Sequence, residues 1–229
     1  RDGVWAQAAN VPLEAVTEVP DGVDLRDAAA MGIAGLTAIN CVRRLAAVAA
    51  DDRVIVLGAS GGVGSMIVSL AHAAGARVWG QTGSPEKAAA IEQDGAEGVL
   101  VGGPDEIGRR LAELAPTVAF DPLGDGFVAP VVAAMAQGGR IVSFGVSAGA
   151  ETSFNIQQLY RKGLSLLGYS GLTLTREQRR QGLVEALEAV RAGELKVRVD
   201  EVLALQDVNQ AFQRLVARRA RGKLLLDLS

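Results

Sequence analysis

From Arg53 onward the chain alternates short apolar runs with helical stretches, and this alternation constrains the fold more than any other feature. RVIVLG (53–58) leads into a helix running to about Ala74. ARVWGQT (76–82) precedes a helix in PEKAAAIEQDG, and GVLV (98–101) precedes EIGRRLAEL. TVAFD (117–121) is followed by FVAPVVAAMAQ, and RIVSFG (140–145) comes next. LSLLGYS (164–170) leads to a long helix in TREQRRQGLVEALEAVRAG. Strands separated by helices demand crossover connections and a parallel sheet. The runs are rich in Val, Ile and Leu without alternation, as required when helices cover both faces. Six strands in two sets of three give a doubly wound α/β sheet.

Helix punctuation agrees with this reading. Thr175, with Gln178 three residues on, forms a capping box. Gly75, Gly95 and Gly193 each fall just past a helical run, where a left-handed residue is wanted. The two ends stand outside the series. Residues 1–30 carry short strand-like pieces and a turn at Pro20-Asp21-Gly22. After Gly193 come KVRVDEVLAL, a helix near DVNQAFQRLVARR and the strand-like GKLLLDLS. The expected division is therefore 1–30, 31–193 and 194–229, the outer two being parts of a second domain flanking the first.

Composition narrows the function classes. A net charge of −3 offers no basic field for nucleic acid or an anionic membrane. No apolar run approaches the ~20 residues of a spanning helix. The single cysteine, Cys41, rules out an internal disulfide framework and suits a reducing cytoplasm. Glycine is abundant at 28 residues, which suits many tight strand-to-helix turns.

The first such turn carries chemistry. In RVIVLGASGGVG, Gly58, Gly61, Gly62 and Gly64 fall between an apolar strand and a helix. Without Cβ atoms the backbone N–H groups approach a pyrophosphate, and the helix N terminus adds positive partial charge. Ala59 stands where the first glycine of the strict G-x-G-x-x-G fingerprint belongs, but the strand–turn–helix context supplies the specificity. The end of the second strand selects the dinucleotide. An acid there holds the ribose 2′-OH of NAD. Here it reads Gln81, Thr82, Gly83, Ser84, with no acid before Glu86. Thr82, Ser84 and Lys87 suit a 2′-phosphate, which favours NADP. Ser84 also stands at the N-cap of PEKAAA, and Lys87 also reads as a solvated helix lysine.

Taken together, GASGGVG, the preceding AAAMGIAGLTA, TGSPEKAAAIEQDGA, FDPLG, GGRIVSFG and the tail RGKLLLDL resemble the medium-chain dehydrogenase/reductase superfamily. Within it they are most similar to the zinc-independent quinone oxidoreductase (zeta-crystallin-like) branch. The resemblance runs in order over nearly the whole chain. It implies a Rossmann domain at 31–193 with remnants of a GroES-like β domain at both ends. RDGVWAQAANVPLEAVTEVPDG corresponds to the last strands of that domain, most of which this chain is expected to lack.

The resemblance also assigns roles. Gly61, Gly62, Val63 and Gly64 hold the pyrophosphate, and Thr82, Ser84 and Lys87 the 2′-phosphate of NADP. Thr37, Gly145 and Val146 line the nicotinamide. Relatives carry a tyrosine after the third strand, where this chain reads Val101-Gly102-Gly103. The implied activity is zinc-independent hydride transfer from NADPH to a quinone or an α,β-unsaturated carbonyl. Catalytic residues are not identified. The implied assembly is a homodimer through the edge strand 164–170, whose Leu164, Leu166, Leu167 and Tyr169 invite pairing.

Metal ligands are scarce. A catalytic zinc wants three protein ligands, and only Cys41 and His72 offer sulfur or imidazole. Cys41 reads as a core residue and His72 as a surface one. Tyr160 and Lys162 are two apart, the wrong spacing for a short-chain reductase pair. Asp121 reads as a turn residue. Two further readings stay open: a nucleotide-binding and dimerising module with little turnover, and a zinc-type alcohol dehydrogenase with its ligands elsewhere.

Overall fold

A computed structural model describes residues 4–217 and 219–228. Its centre is a parallel six-stranded sheet: β1 (Arg53–Val56), β2 (Arg77–Thr82), β3 (Gly98–Val101), β4 (Val118–Asp121), β5 (Arg140–Ser143) and β6 (Ser165–Gly168). The order across the sheet is β3-β2-β1-β4-β5-β6, the doubly wound arrangement expected. The register pairs Val54 with Val78 on one side and with Val118 on the other.

Successive strand residues point to opposite faces, and each face has its own core. Val54, Val56, Val118, Phe120 and Val142 face one cluster. It is completed by α1 (Leu25–Ile39), α2 (Gly64–Ala73) and α3 (Ala88–Gln93), together with α7 (Arg176–Arg191). Ile55, Leu57, Ala119 and Ile141 face the other, under α4 (Pro104–Leu114), α5 (Val128–Ala134) and α6 (Ile156–Arg161). Burial on both faces is why the strands read as unbroken apolar runs.

The capping box at α7 is present: Thr175 N–H donates to Gln178 Oε1 at 2.8 Å, and Gln178 N–H to Thr175 Oγ1 at 3.2 Å. Gly75, Gly95 and Gly193 adopt φ of 85°, 120° and 74°. Asp52 and Arg140 pair at 2.7 Å near the amino ends of β1 and β5. Thr117 Oγ1 joins them by donating to Asp52 Oδ1 at 2.7 Å.

The ends differ in part from expectation. Among the described residues before Leu25 there is no strand, only a 3-10 turn at Leu13–Ala15. A strand needs a partner ladder, and the described residues of this segment pair with none. Helix α1 then starts at Leu25, and its last turn passes into a π-helical segment, Asn40–Leu45. At the other end β7 (Val199–Ala204) and β8 (Lys223–Asp227) pair in parallel as a separate sheet, joined through α8 (Val208–Val216). Ring contact between Trp5 and Phe212, centroids 5.6 Å apart, brings the two ends together.

Candidate functional site

All the strands of the large sheet end on one edge, and strand order reverses between β1 and β4. That reversal opens a crevice at the carboxyl ends of the strands, the place where open α/β sheets bind ligands. The glycine loop fills it. Gly58 has φ of +58°, a conformation glycine adopts without strain. Its carbonyl accepts from Gly61 N–H at 2.9 Å, closing the turn. A methyl on Gly64 would press into the Gly58 carbonyl oxygen and lie 2.9 Å from Ala59 Cα, so strand and helix meet here at backbone distance. The N–H groups of Gly62, Val63 and Gly64 make no hydrogen bond among the described residues. A helix start with free donors, two of them on glycines, fits a pyrophosphate.

The residues expected at the 2′-phosphate gather beside this loop. Thr82 is buried, with Oγ1 3.4 Å from Ser60 Oγ and accepting from Ser84 N–H at 3.2 Å. Ser84 does occupy the N-cap position of the turn Pro85–Lys87, but its hydroxyl makes no capping bond. Its backbone is extended, and the cap is made instead by its carbonyl, which accepts from Lys87 N–H at 3.1 Å. Lys87 Nζ donates to the Ala220 carbonyl at 3.2 Å. It is therefore anchored to the C-terminal segment rather than free in solvent. A cavity of about 210 Å³ opens at this point, lined by Ser60, Glu86, Lys87, Gln93, Arg198 and Arg221. Lys87 and Arg221 bring positive charge to its lining and Glu86 negative charge, while Arg198 is neutralised by Asp94. Arg198 is fixed by an ion pair with Asp94 and a 2.5 Å bond to the Ala90 carbonyl, clamping β7 to α3.

The residues expected at the nicotinamide lie in the loop after β5 and on α1. Gly145 follows β5, and a Cβ there would meet the Pro122 carbonyl oxygen at 2.8 Å. Only glycine lets the loops after β4 and β5 close on each other. Val146 is 59% exposed. Thr37 is buried on α1 and donates from Oγ1 to the Ile33 carbonyl at 2.8 Å. Tyr169, just past β6, brings its hydroxyl beside Thr37, and burial pushes its pKa above the ordinary value. That hydroxyl is close enough to feel Thr37 but makes no hydrogen bond of normal geometry.

The remaining chemical candidates have structural roles. Cys41 is fully buried, and desolvation raises its thiol pKa to about 12. His72 is exposed in the last turn of α2. Lys162 Nζ donates to the carbonyls of Ala133 and Met135 at 2.6 and 2.9 Å, capping the end of α5. Asp121 is a buried turn residue accepting from Leu123 and Gly124 N–H at 2.7 and 3.0 Å. Burial raises its pKa, opposed by those two bonds. Among the described residues no three of His, Cys, Asp and Glu cluster as metal ligands, and no helix is long and apolar enough to cross a membrane.

Besides Arg198 and Arg221, two residues that touch the glycine loop were given no role by sequence reasoning. Lys223, at the start of β8, lays its stem over Gly62: a Cβ on that glycine would fall 2.6 Å from Lys223 Cδ. Desolvation lowers its amine pKa, and among the described residues it has no ion-pair or hydrogen-bond partner. A half-buried cation at a helix N terminus suits a diphosphate. Its only sequence signal is a lysine opening the last strand, 159 positions after Gly64. Gln81 is the second: its side chain accepts from Gly58 N–H at 2.9 Å and donates to the Gly102 carbonyl at 2.8 Å.

With this geometry in hand, the likeness to known proteins is specific. The profile of the family described as "Zinc-binding dehydrogenase" matches residues 62–189. A quinone oxidoreductase of Salmonella typhimurium is 30% identical over 236 residues, covering 98% of this chain and 71% of the relative. A probable acrylyl-CoA reductase of Escherichia coli, AcuI, is 31% identical over 78% of this chain and 56% of its own length. A solved structure of Escherichia coli quinone oxidoreductase complexed with NADPH superposes with a TM-score of 0.79. It is 29% identical over 91% of this chain and 67% of that one. The fold and its glycine loop therefore define a zinc-binding-dehydrogenase-type Rossmann protein of the medium-chain dehydrogenase/reductase superfamily. Within that superfamily the chain belongs to the quinone oxidoreductase branch.

Proposed function

We propose that the crevice binds NADPH and serves zinc-independent hydride transfer to a small electrophilic acceptor, a quinone or an α,β-unsaturated carbonyl. One observation carries this reading: the second strand ends without a carboxylate, and beside it lies an anion-fitting cavity lined by Ser60, Lys87 and Arg221. Thr82, whose hydroxyl lies 3.4 Å from that of Ser60, and Ser84 next to it would add hydroxyls toward the 2′-phosphate in this reading. The free N–H groups of Gly62, Val63 and Gly64, with Lys223 over them, hold the diphosphate. Thr37, Gly145 and Val146 form the wall against which the reactive ring lies. The complexed relative supports the cofactor, and the quinone oxidoreductase and acrylyl-CoA reductase relatives support a conjugated acceptor.

When bound, NADPH supplies a hydride that the acceptor takes at a conjugated carbon, the balancing proton coming from water. The chain's own contribution is positioning and exclusion of water on one side of the ring. The exposed side of β6 continues the sheet in a two-fold homodimer in this reading. Leu166, 45% exposed, lies on that edge. The division into 1–30, 31–193 and 194–229 follows the same reading, with the outer segments forming part of the acceptor-binding domain.

The test is turnover. The full chain is incubated with NADPH and either a simple quinone or a simple enone, with and without a strong chelator, while nicotinamide absorbance is followed. Loss of absorbance that the chelator leaves unchanged is the expected result. NADPH binding without oxidation by either acceptor would refute the acceptor class, and inhibition by the chelator would refute zinc independence.

A further inference from the structure

One buried polar side chain at the site does work that no cofactor contact accounts for. Gln81 is 2% exposed, the penultimate residue of β2, and sits between the ends of β1 and β3. Its Oε1 takes the Gly58 N–H at 2.9 Å, and its backbone carbonyl takes the next N–H, that of Ala59, also at 2.9 Å. Its Nε2 donates to the Gly102 carbonyl at 2.8 Å, while Gly102 N–H returns a bond to the Thr82 carbonyl at 3.0 Å. Gly58 is the pivot of the glycine loop, because its carbonyl closes the turn onto Gly61 and abuts Gly64. A displacement of Gly58 therefore carries the whole loop with it. Gly102 belongs to the loop after β3, whose next residue, Gly103, is fixed by a 2.6 Å bond from its N–H to Glu106 Oε2.

We propose that Gln81 is a positioning residue that sets the glycine loop, 58–64, against the loop after β3, 102–103, so that one dinucleotide meets both. This rests on the NADPH reading. The task demands a side chain that accepts at one end and donates at the other while remaining uncharged, and a primary amide does both. Asparagine is one methylene short. A glutamate reaches but, when ionised, has no proton to give Gly102 and faces that carbonyl oxygen across a buried gap.

That contrast gives the experiment. Gln81→Met keeps the volume and removes both bonds. Gln81→Glu keeps the acceptor and restores the donor only when protonated. Burial and the facing carbonyl push its carboxyl above the usual ~4.3, and a bound diphosphate pushes it further. The other titratable groups nearby are Glu106, Lys223 and Asp121, the last in the loop packed on Gly58. All three are shared with the wild type, so the variant-to-wild-type ratio of Kd isolates position 81.

NADPH affinity is measured by calorimetry on the full chain at about pH 5.5 and about pH 8.5, spanning the shifted carboxyl, with thermal unfolding of the ligand-free proteins alongside. The expected result is a Kd raised about tenfold for Gln81→Met at both values, as lost pre-organisation predicts. Gln81→Glu should bind within about threefold of wild type at the lower pH and about tenfold or more weaker at the higher, as its donor is lost. Should Gln81→Met not fold, the pH profile of Gln81→Glu decides alone. Both variants within twofold of wild type at both pH values would overturn the proposal. A wild type that binds no dinucleotide overturns the NADPH reading itself, and the positioning role falls with it.

Discussion

Lys223 sets stability against ligand binding, and Lys223→Met separates the two. The methionine keeps an apolar stem over Gly62 and removes the charge. In the ligand-free protein the ammonium is half-buried without a described partner, and desolvation lowers its pKa. Folding therefore favours the neutral amine. Below the lowered pKa both folded and unfolded chains carry the proton, and the folded state bears the whole cost of the buried charge. As pH rises through the lowered pKa that cost is relieved, and above about 10.4, the ordinary lysine value, both states are neutral. The ligand-free variant should thus be at least as stable to heat as the wild type at neutral pH, with the difference shrinking as pH approaches that value. Binding moves the other way. A hydrogen bond between a cation and a diphosphate is worth about 1.5–3 kcal/mol, so the variant's Kd for NADPH should rise about 10- to 150-fold. Differential scanning calorimetry from pH 7 to about 10.5 reads the first effect, and isothermal titration reads the second. A variant that loses heat stability at pH 7 and binds NADPH unchanged would refute both halves of the reasoning.

Three other outcomes follow from the geometry. Gly64→Ala forces a methyl against the backbone of Gly58 and Ala59, atoms that cannot swing aside, and should cost about 1–3 kcal/mol in urea unfolding while abolishing measurable NADPH binding. A stable Gly64→Ala protein with normal binding would show that helix and strand do not meet as described. Lys87→Ala should weaken NADPH about tenfold or more and leave NADH within about twofold, since only NADPH carries the charge Lys87 meets; equal losses for the two would sink the assignment. Cys41, fully buried with its thiol raised to about 12, should resist iodoacetamide in the folded protein at mildly alkaline pH and react once urea unfolds it, as mass spectrometry would report.

The sheet was legible because each of its strands is buried on both faces, which turns topology into apolar runs that a sequence displays. The phosphate loop was legible for a related reason: Gly58, Gly61, Gly62 and Gly64 answer local backbone demands. Thr82, Ser84 and Lys87 were named from sequence as 2′-phosphate candidates because they lie at or just past a strand end. Lys223 and Arg221 were not, since they reach the site from the far end of the chain and nothing in their local spacing marks them. Gln81 was visible as a strand residue, but its role depends on two partners, Gly58 and Gly102, that only sheet order places on either side of it. The first 24 residues misled for the opposite reason. Their composition suits a strand, yet strand formation depends on a neighbouring edge, and the described residues there pair with none. Ser84 misled in miniature: the residue type and position are right for a cap, but its hydroxyl makes no bond to the helix.

The account turns on a crevice that reads the 2′-phosphate of its dinucleotide. Titrating the full chain with NADPH and with NADH under the same conditions, by calorimetry and nicotinamide fluorescence, tests that claim most directly. It predicts NADPH bound at least about tenfold more tightly, the worth of one charge-assisted contact. Equal affinities, or tighter binding of NADH, would contradict it.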